Sequence, residues 1–245
     1  TEKGTFIVRF VFDDENETSD DDSSLTMPRK VSSAEQANFD DLCKEKDLLG
    51  CFITRHPLQM YESDLQSFSK ITLNKLRECM GQEVEIVCMC TAFSERRAKS
   101  TGKRLLYVNL SDPTNEIEGL IYESEIPQSL PPIYQPVIAV CNIKKRFGTE
   151  NEFTLNIRGF KNLEEHRIRS VKTLELSFGP DAKDLIVPLR NQLQKVNGAT
   201  KVQFKLKYKD SELKIKGSDI GVRLDNKTIE FLASSAPNLT FRYYQ

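Results

Sequence analysis

The sequence predicts a closed or nearly closed five-stranded β-barrel followed by a small α+β domain. The first observation is that five runs between Gln82 and Asn162 are alternately apolar and polar or nearly continuously apolar, which indicates β-strands. The second is that turn residues separate these runs, with one longer non-strand interval after the third. The third is that residues 171–245 switch between strand-like and helix-like patterns. Five strands in this layout are typical of an OB-fold, a barrel that often binds single-stranded nucleic acid.

The five predicted barrel strands lie in a domain that spans residues 82–165. They are Glu83–Phe93, Arg104–Leu110, Glu116–Tyr122, Val137–Ile143 and Glu152–Gly159. In the second run, Leu106, Val108 and Leu110 share one face, which we assign to the core. Tyr107 and Asn109 then lie on the opposite face, where we expect a ligand to bind.

Residues 1–32 read as a flexible linker. The apolar patch Phe6–Phe12 is followed at once by the acidic, serine-rich run Asp13–Ser24, which has too little apolar surface to order itself. A short apolar segment on such a tether resembles a docking peptide, although an extra strand paired to the neighbouring domain is equally compatible. The carboxylates could bind Mg²⁺, but they have no scaffold to fix octahedral geometry, so we interpret the run as solvated linker.

Residues 33–81 form a predicted helical connector. Ser33 starts a helix in a capping-box pattern with Gln36, and Gly50 ends it. A second short helix is predicted over Thr72–Cys79, with Thr72 as its cap.

Residues 171–245 form a separate predicted domain of order β-α-β-β-β-α-β. The predicted strands are Val171–Phe178, Lys201–Tyr208, Glu212–Lys216, Ile220–Leu224 and Leu239–Tyr244. The first helix runs from Asp181 to about Val196, is kinked or split at Pro188 and is ended by Gly198. Asp225 caps the second helix.

Composition limits the classes of function. Charged residues make up 29% of the chain and apolar residues 38%, and no run of 18 apolar residues exists, so we expect a cytoplasmic protein without a membrane span. The six cysteines are interpreted as free buried thiols of a reducing compartment. Residues 1–50 contain 6 basic and 13 acidic side chains, whereas residues 171–245 contain 13 and 8. The start at Thr1 suggests a fragment of a longer chain.

The candidate nucleic-acid site combines two basic segments with polar side chains of the second strand. Its members are Arg96, Arg97, Lys99, Lys103 and Arg104 in the β1–β2 loop, Lys144, Lys145, Arg146 and Phe147 in the β4–β5 connection, and Tyr107 and Asn109 between them. Cations there can follow phosphates, and Tyr107 is the candidate platform for a stacked base. The alternative is that these are solvated hairpin tips.

No catalytic, metal or cofactor site is predicted. Only His56 and His166 are available as imidazoles, and His56, which precedes Pro57, is expected to hydrogen-bond within a turn. Cys88 and Cys90 share one strand face at a spacing that fits core packing better than a metal site.

One string before the barrel carries a family resemblance. Lys44–Gly50, then Phe52, then His56–Leu58 resembles the region that precedes the OB domain in the bacterial DNA polymerase III alpha subunit (DnaE type). The family pattern has glycine where this chain has Arg55. If that backbone needs a positive φ, the loop here is strained or rearranged.

The resemblance implies a non-catalytic carboxy-terminal part of a replicative DNA polymerase. The barrel would hold single-stranded template DNA, and the terminal domain resembles the one that binds the tau subunit of the clamp loader. The catalytic aspartates and their Mg²⁺ would belong to a palm domain upstream of this chain.

The amino-terminal patch also has a counterpart in that family. Val8, Val11 and Phe12 fall where the family has a peptide that binds the sliding clamp, with Val8 in place of its leading glutamine. Gln36–Phe39 is a competing candidate. The alternatives to the polymerase hypothesis are a stand-alone OB protein that binds single-stranded DNA or RNA, and a scaffold that contacts only proteins.

Overall fold

A computed structural model of the chain describes residues 39–99, 101–145, 153–179, 186–208, 211–235 and 239–245. The predicted linker with its clamp-binding residues Val8, Val11 and Phe12 lies outside these residues, as do the capping box Ser33–Gln36 and the site residues Arg146 and Phe147. None of the helices in the described part of the chain is both long and apolar enough to cross a membrane.

The first sheet is a closed barrel of five strands. These are β1 (Glu83–Arg97), β2 (Arg104–Asp112), β3 (Asn115–Tyr122), β4 (Pro136–Lys145) and β5 (Phe153–Asn162). Neighbours follow the order β1-β2-β3-β5-β4, and only the β3–β5 pair is parallel. This architecture confirms the predicted OB-like fold class, and all five predicted strands are present.

Alternation along the strands positions the barrel core as predicted. Ile86, Cys88 and Cys90 of β1 are fully buried in one cluster with Val108 and Leu110 of β2. Met89 and Val87, on the other side of β1, are also fully buried, but they pack in a second cluster with the connector. The first half of β1 is therefore covered on both faces, while its second half forms one arm of an exposed hairpin.

The second sheet has four strands in the order β8-β7-β6-β9. They are β6 (Thr173–Phe178), β7 (Asn197–Tyr208), β8 (Ser211–Val222) and β9 (Leu239–Tyr244), and β6 pairs parallel to β7. The prediction of two short strands, Glu212–Lys216 and Ile220–Leu224, was wrong, since Glu212–Lys216 and residues 220–222 belong to the single strand β8. An irregularity opposite Lys201 and Val202 absorbs the extra residues, so the ladder continues and the order becomes β-α-β-β-α-β.

Gly198 lies inside β7, so the prediction that it ends a helix was also wrong. A Cβ atom on Gly198 would lie 2.1 Å from the backbone nitrogen of Arg223, so only glycine permits the close approach of these two segments. The described part of the preceding helix, α4, is Ile186–Leu193 and includes Pro188. The second helix, α5 (Asn226–Ser235), is capped as predicted, because Asp225 Oδ1 accepts from the Thr228 amide at 2.8 Å.

The connector contains more helix than the sequence predicts. The described part of α1 is Phe39–Leu49 and ends at Gly50, whose φ is 77°. A 3₁₀ helix (Pro57–Tyr61) and α2 (Glu62–Phe68) follow, and α3 (Leu163–Ser170) leads out of the barrel. None of these three was predicted, nor was the single 3₁₀ turn Glu123–Glu125 after β3.

The second predicted connector helix is a 3₁₀ helix over Leu73–Cys79. Thr72 is its N-cap by position, but its side chain does not cap it, which corrects the prediction. The Asp112 carboxylate of β2 takes that role by accepting from the Leu73 amide at 2.7 Å.

A buried ion pair ties the connector to the terminal sheet. Arg167 of α3 and Asp64 of α2 are both fully buried, and the Arg167 Nε donates to Asp64 Oδ1 at 2.7 Å. The same guanidinium donates to the Leu224 carbonyl and to Asn226 at the start of α5. Tyr243 of β9 donates to the other Asp64 oxygen. Apolar side chains of the connector and of the terminal sheet also belong to one core cluster.

Candidate nucleic-acid interface

The outer face of β2 carries the predicted ligand-facing residues. Tyr107 and Asn109 are half-buried, whereas their neighbours Val108 and Leu110 are fully buried, so the alternation predicted from sequence is confirmed. Tyr107 pairs with Ser94 on β1 and with Leu120 on β3. Paired residues in a sheet share a face, so this row belongs to the barrel's outer surface.

Arg96 covers the Tyr107 ring. Its guanidinium carbon lies 4.5 Å from the ring centroid, which is a close cation–π contact. Arg96 Nη2 also lies 3.9 Å from Glu118 Oε2 on β3. The side chains of Arg96 and Glu118 are 59% and 50% exposed. Arg96, Tyr107 and Glu118 thus form one cluster across three strands, with its charge open to solvent.

The tip of the β1–β2 hairpin presents the remaining predicted cations. Arg97, Lys99, Lys103 and Arg104 are all exposed. Arg104 forms a two-bond ion pair with Glu95, because its Nε and Nη2 each donate to a Glu95 oxygen at 2.8 Å. This fork neutralises one cation of the site and holds the pKa of the Glu95 carboxyl below its usual value, first through its hydrogen bonds. Gly102 turns the chain back with a φ of 66°.

Lys144 and Lys145 lie at the exposed end of β4. Lys144 pairs with Thr154 of β5, whose next residue, Leu155, pairs with Gly119 of β3. Gly119 in turn pairs with Val108 of β2. Neighbouring strands are about 4.8 Å apart, so the path from the β4 end to β2 along the curved sheet is roughly 15 Å. The two basic segments therefore flank the β2–β3 face from different sides.

Sequence reasoning missed the acidic and neutral groups on this face. Glu118 reduces its positive charge, and alternation could have placed Glu118 beside Asn109, its partner in the ladder. Glu95 pairs with Leu106, so it lies on the opposite face of the hairpin. Asn156 of β5 pairs with Leu120, is 2% exposed, and its Oδ1 has no hydrogen-bond partner among the described residues. Arg158, further along β5, forms an ion pair with Glu125.

His56 joins the connector to the barrel through two hydrogen bonds. Its Nδ1 accepts from the Leu58 amide at 3.1 Å, as predicted for a turn. The other nitrogen, Nε2, must then carry the proton and donate to Ser111 Oγ of β2, 3.0 Å away. Burial lowers the pKa of His56 to about 4 and outweighs the nearby carboxylates of Asp112 and Glu116, which act to raise it, so the ring is neutral near pH 7.

Other residues of the family-like string make the same junction. The Lys46 ammonium donates to Glu116 Oε2 at 2.6 Å and lies 5.6 Å from the centroid of the Phe52 ring. Phe52 meets His56 edge to face at 4.7 Å. Arg55 does not have a positive φ, so the strain considered for this position is absent. Tyr134 is the one non-glycine residue in the described ranges with a positive φ.

Most cysteines are buried thiols, as predicted. Cys43, Cys88, Cys90 and Cys141 are buried, and burial raises the pKa of Cys90 to about 12. Cys51 is exposed, which corrects the expectation for that residue. Among the residues that the structure describes, no group of three His, Cys, Asp or Glu side chains could hold a metal ion.

Comparisons with known proteins give a weak match in sequence. No protein-family model matches the chain. The DNA polymerase III subunit alpha of Bacillus subtilis (strain 168) is 24% identical over 111 residues, which are 45% of this chain and 10% of that protein. The chain thus spans a small part of this relative. The weak match and the OB-like barrel together are consistent with a DNA-related function and with nucleic-acid binding.

A solved structure was also matched. The asparaginyl-tRNA synthetase from Pyrococcus horikoshii, complexed with asparaginyl-adenylate, covers 61% of this chain and 43% of its own at 14% identity. The TM-score of this match is 0.29.

Proposed function

We propose that the barrel binds single-stranded DNA across the outer face of β2 and β3, as a non-catalytic part of a replicative DNA polymerase alpha subunit. The observation that carries the proposal is the Arg96–Tyr107 contact at 4.5 Å, flanked by exposed cations of the β1–β2 hairpin and the β4 end. The weak similarity to a DNA polymerase III alpha subunit supports the same assignment.

Binding on this face combines stacking with phosphate contacts. Arg96 covers one side of the Tyr107 ring, so a base stacks on the planar guanidinium or displaces it and stacks on the ring. Arg97, Lys99 and Lys103, which extend from the hairpin tip, neutralise phosphates. Asn109 offers an amide to a base or sugar. Such contacts accept any sequence and weaken with salt.

In the polymerase, the barrel holds the template strand while the palm domain of the longer chain performs phosphoryl transfer with Mg²⁺. The domain at residues 171–245 docks to the tau subunit of the clamp loader, and Val8, Val11 and Phe12 tether the chain to the sliding clamp. A tether of this kind increases processivity because it raises the effective concentration of the polymerase at the primer end. A cytoplasmic location follows from this role.

The clamp proposal has a direct test. Phe12→Ala removes the aromatic anchor of the peptide and should abolish co-elution of the chain with the sliding clamp. Phe39→Ala is the matched variant of the competing segment and should leave co-elution unchanged. Co-elution that survives Phe12→Ala removes the assignment.

DNA binding is tested by fluorescence anisotropy with a labelled oligo-dT of about 10 nucleotides, within the roughly 4–16 that one OB-fold covers. The quadruple variant Arg96→Ala/Arg97→Ala/Lys144→Ala/Lys145→Ala should lose most binding at low salt. The control removes four other exposed cations, Lys75, Arg77, Arg169 and Arg190, and should bind as the wild type does. No binding by the wild type, or equal binding by the quadruple variant, contradicts the proposal.

A scaffold that contacts only proteins is the second candidate. The observation that favours it is the position of Glu118 beside Arg96, because a face of mixed charge suits a polar protein surface as well as a phosphate chain. In that case, oligo-dT does not bind at low salt, and the same quadruple variant weakens a protein complex.

A further inference from the structure

The four-stranded sheet has one face that the described helices leave open. Side chains on one face of the sheet, such as those of Leu176 and Phe204, are buried against α4 and α5 in the shared core. The residues that alternate with them, on the other face of the sheet, are polar in every strand. Three register rows describe this open face, namely Lys201–Thr173–Tyr244, Gln203–Glu175–Arg242, and Lys214–Lys205–Ser177–Thr240.

The open face is basic. Lys201, Lys214 and Arg242 are exposed on three different strands, and Lys205 lies half-buried between them. Glu175 is the one acid in these three rows, and it is 4% exposed, so it offers little of its charge to solvent. Glu212 follows in the next row, opposite Lys207. In sequence, residues 171–245 carry 13 basic and 8 acidic side chains, so the surplus of positive charge is a property of the whole region.

An aromatic side chain accompanies these cations. Tyr244 is 47% exposed and is separated from Lys201 by the single residue Thr173 in the first row. Strands lie about 4.8 Å apart, so the two side chains start roughly 10 Å from each other. A cation and an exposed ring at such a separation match a phosphate and a base of one flexible strand.

We propose that this face is a second nucleic-acid-binding surface, which takes the phosphates of single-stranded DNA or RNA on Lys201, Lys214 and Arg242 and a base on Tyr244. Charge complementarity points to a polyanion. The exposed ring favours nucleic acid over an acidic peptide, because every base offers a π-face and acidic side chains do not. The contacts proposed here are to phosphates and to the face of a base, and neither depends on sequence.

The surface is distinct from the barrel site and extends the footprint of the chain on nucleic acid. A short oligonucleotide occupies the barrel alone, whereas one longer than the roughly 4–16 nucleotides of an OB-fold reaches both surfaces. Each phosphate contact on a single strand contributes about 0.7 to the slope of log affinity against log salt. The three cations should therefore contribute about 2 to the slope measured with a long oligonucleotide.

The test compares the full chain with the triple variant Lys201→Gln/Lys214→Gln/Arg242→Gln. Anisotropy is measured with oligo-dT of about 10 and about 40 nucleotides, below and above the length that one OB-fold covers. The triple variant should bind the long probe about tenfold more weakly, with a slope smaller by about 2, and bind the short probe unchanged. The control, Arg190→Gln/Lys195→Gln/Lys227→Gln, removes three cations from the helical side of the same domain.

Three outcomes decide the proposal. Equal affinity and slope for the triple variant and the wild type on the long probe overturn it. Displacement of the long probe from the wild type by polyglutamate as readily as by unlabelled oligo-dT assigns the face to acidic peptides and also overturns it. In a chain that already lacks the barrel cations Arg96 and Arg97, the triple substitution should still weaken binding of the long probe. That result supports the proposal even if the barrel itself does not bind DNA. Lys214→Glu is a second variant, which changes only one exposed side chain, and it should also weaken binding of the long probe.

Discussion

Arg96 of β1 lies over Tyr107 of β2 with its guanidinium carbon 4.5 Å from the ring centroid, on the outer face of the barrel. The contact places a positive charge over one face of the tyrosine ring. It also orients Arg96, which would otherwise be a freely rotating surface side chain. Loss of either partner therefore changes both stacking and charge at the same point.

The ring of Tyr107 should matter more than its hydroxyl. Tyr107→Leu removes the π-face and should weaken oligo-dT binding by about 1–3 kcal/mol, the usual contribution of one stacked base. Tyr107→Phe keeps the ring and should bind within a factor of about two of the wild type. Anisotropy titrations with a short probe measure both. Equal losses in the two variants would indicate a role for the hydroxyl and contradict stacking.

Removing an acid from the barrel face should strengthen binding. Glu118 lies 3.9 Å from Arg96 and repels an approaching phosphate, so Glu118→Gln should raise the affinity for oligo-dT by about 0.5–1 kcal/mol at low salt. Glu165→Gln on α3 is the control, since it changes the net charge equally but lies away from the face. If Glu118→Gln and Glu165→Gln raise the affinity for oligo-dT equally, the effect comes from net charge. The result then does not support a binding site on the barrel face.

The buried state of His56 should make stability depend on pH. Its folded pKa of about 4 lies below the ordinary value of 6.5, so the unfolded chain binds the proton first. The contribution of His56 is therefore fully present above about pH 6.5 and is lost as the pH falls toward about 4, to a total of about 3 kcal/mol.

Urea unfolding at several pH values measures this loss for the wild type and for His56→Gln. The variant has no imidazole to protonate, so its stability should fall less across the same window, although it starts lower because the bond to Ser111 is weakened. His166→Gln is the control for the second histidine, whose pKa burial also lowers. Parallel pH curves for the wild type and His56→Gln would show that His56 is not the group responsible.

The ion pair of Arg167 and Asp64 should be a strong determinant of stability. Arg167→Met leaves the fully buried Asp64 carboxylate without its cation and should cost about 3–5 kcal/mol in urea unfolding. The double variant Asp64→Leu/Arg167→Met removes both charges and should cost less than the sum of the two single changes. Strictly additive costs would mean that the two groups stabilise the fold independently.

Strong local patterns predicted much of the fold. Alternation in β2 placed Leu106, Val108 and Leu110 inside and Tyr107 outside, because a strand with one buried face has only one workable register. The cap at Asp225 and the stop at Gly50 were also predictable, since each is a local backbone requirement met by one residue.

Interactions between distant segments were not predictable. Arg167 reads as a surface residue of a polar stretch, and only its partners Asp64, 103 residues earlier, and Asn226, 59 residues later, make its burial tolerable. Gly198 resembled a helix end because its need for a close approach to Arg223 is visible only in three dimensions. In the candidate site, the grouping of cations around the β1–β2 turn followed from sequence. The prediction that Arg96 and Arg97 lie in the loop was wrong, because β1 continues to Arg97, and the pairing of Arg104 with Glu95 was not predicted.

If the outer face of the barrel binds the phosphates of single-stranded DNA, oligo-dT binding must depend on salt through the cations of that face. For a short probe, log affinity against log salt should be less steep by about 3 in the variant Arg96→Ala/Arg97→Ala/Lys144→Ala/Lys145→Ala, because four phosphate contacts are lost. The variant lacking Lys75, Arg77, Arg169 and Arg190 should keep the wild-type slope. Equal slopes in the first variant and the wild type would contradict the claim.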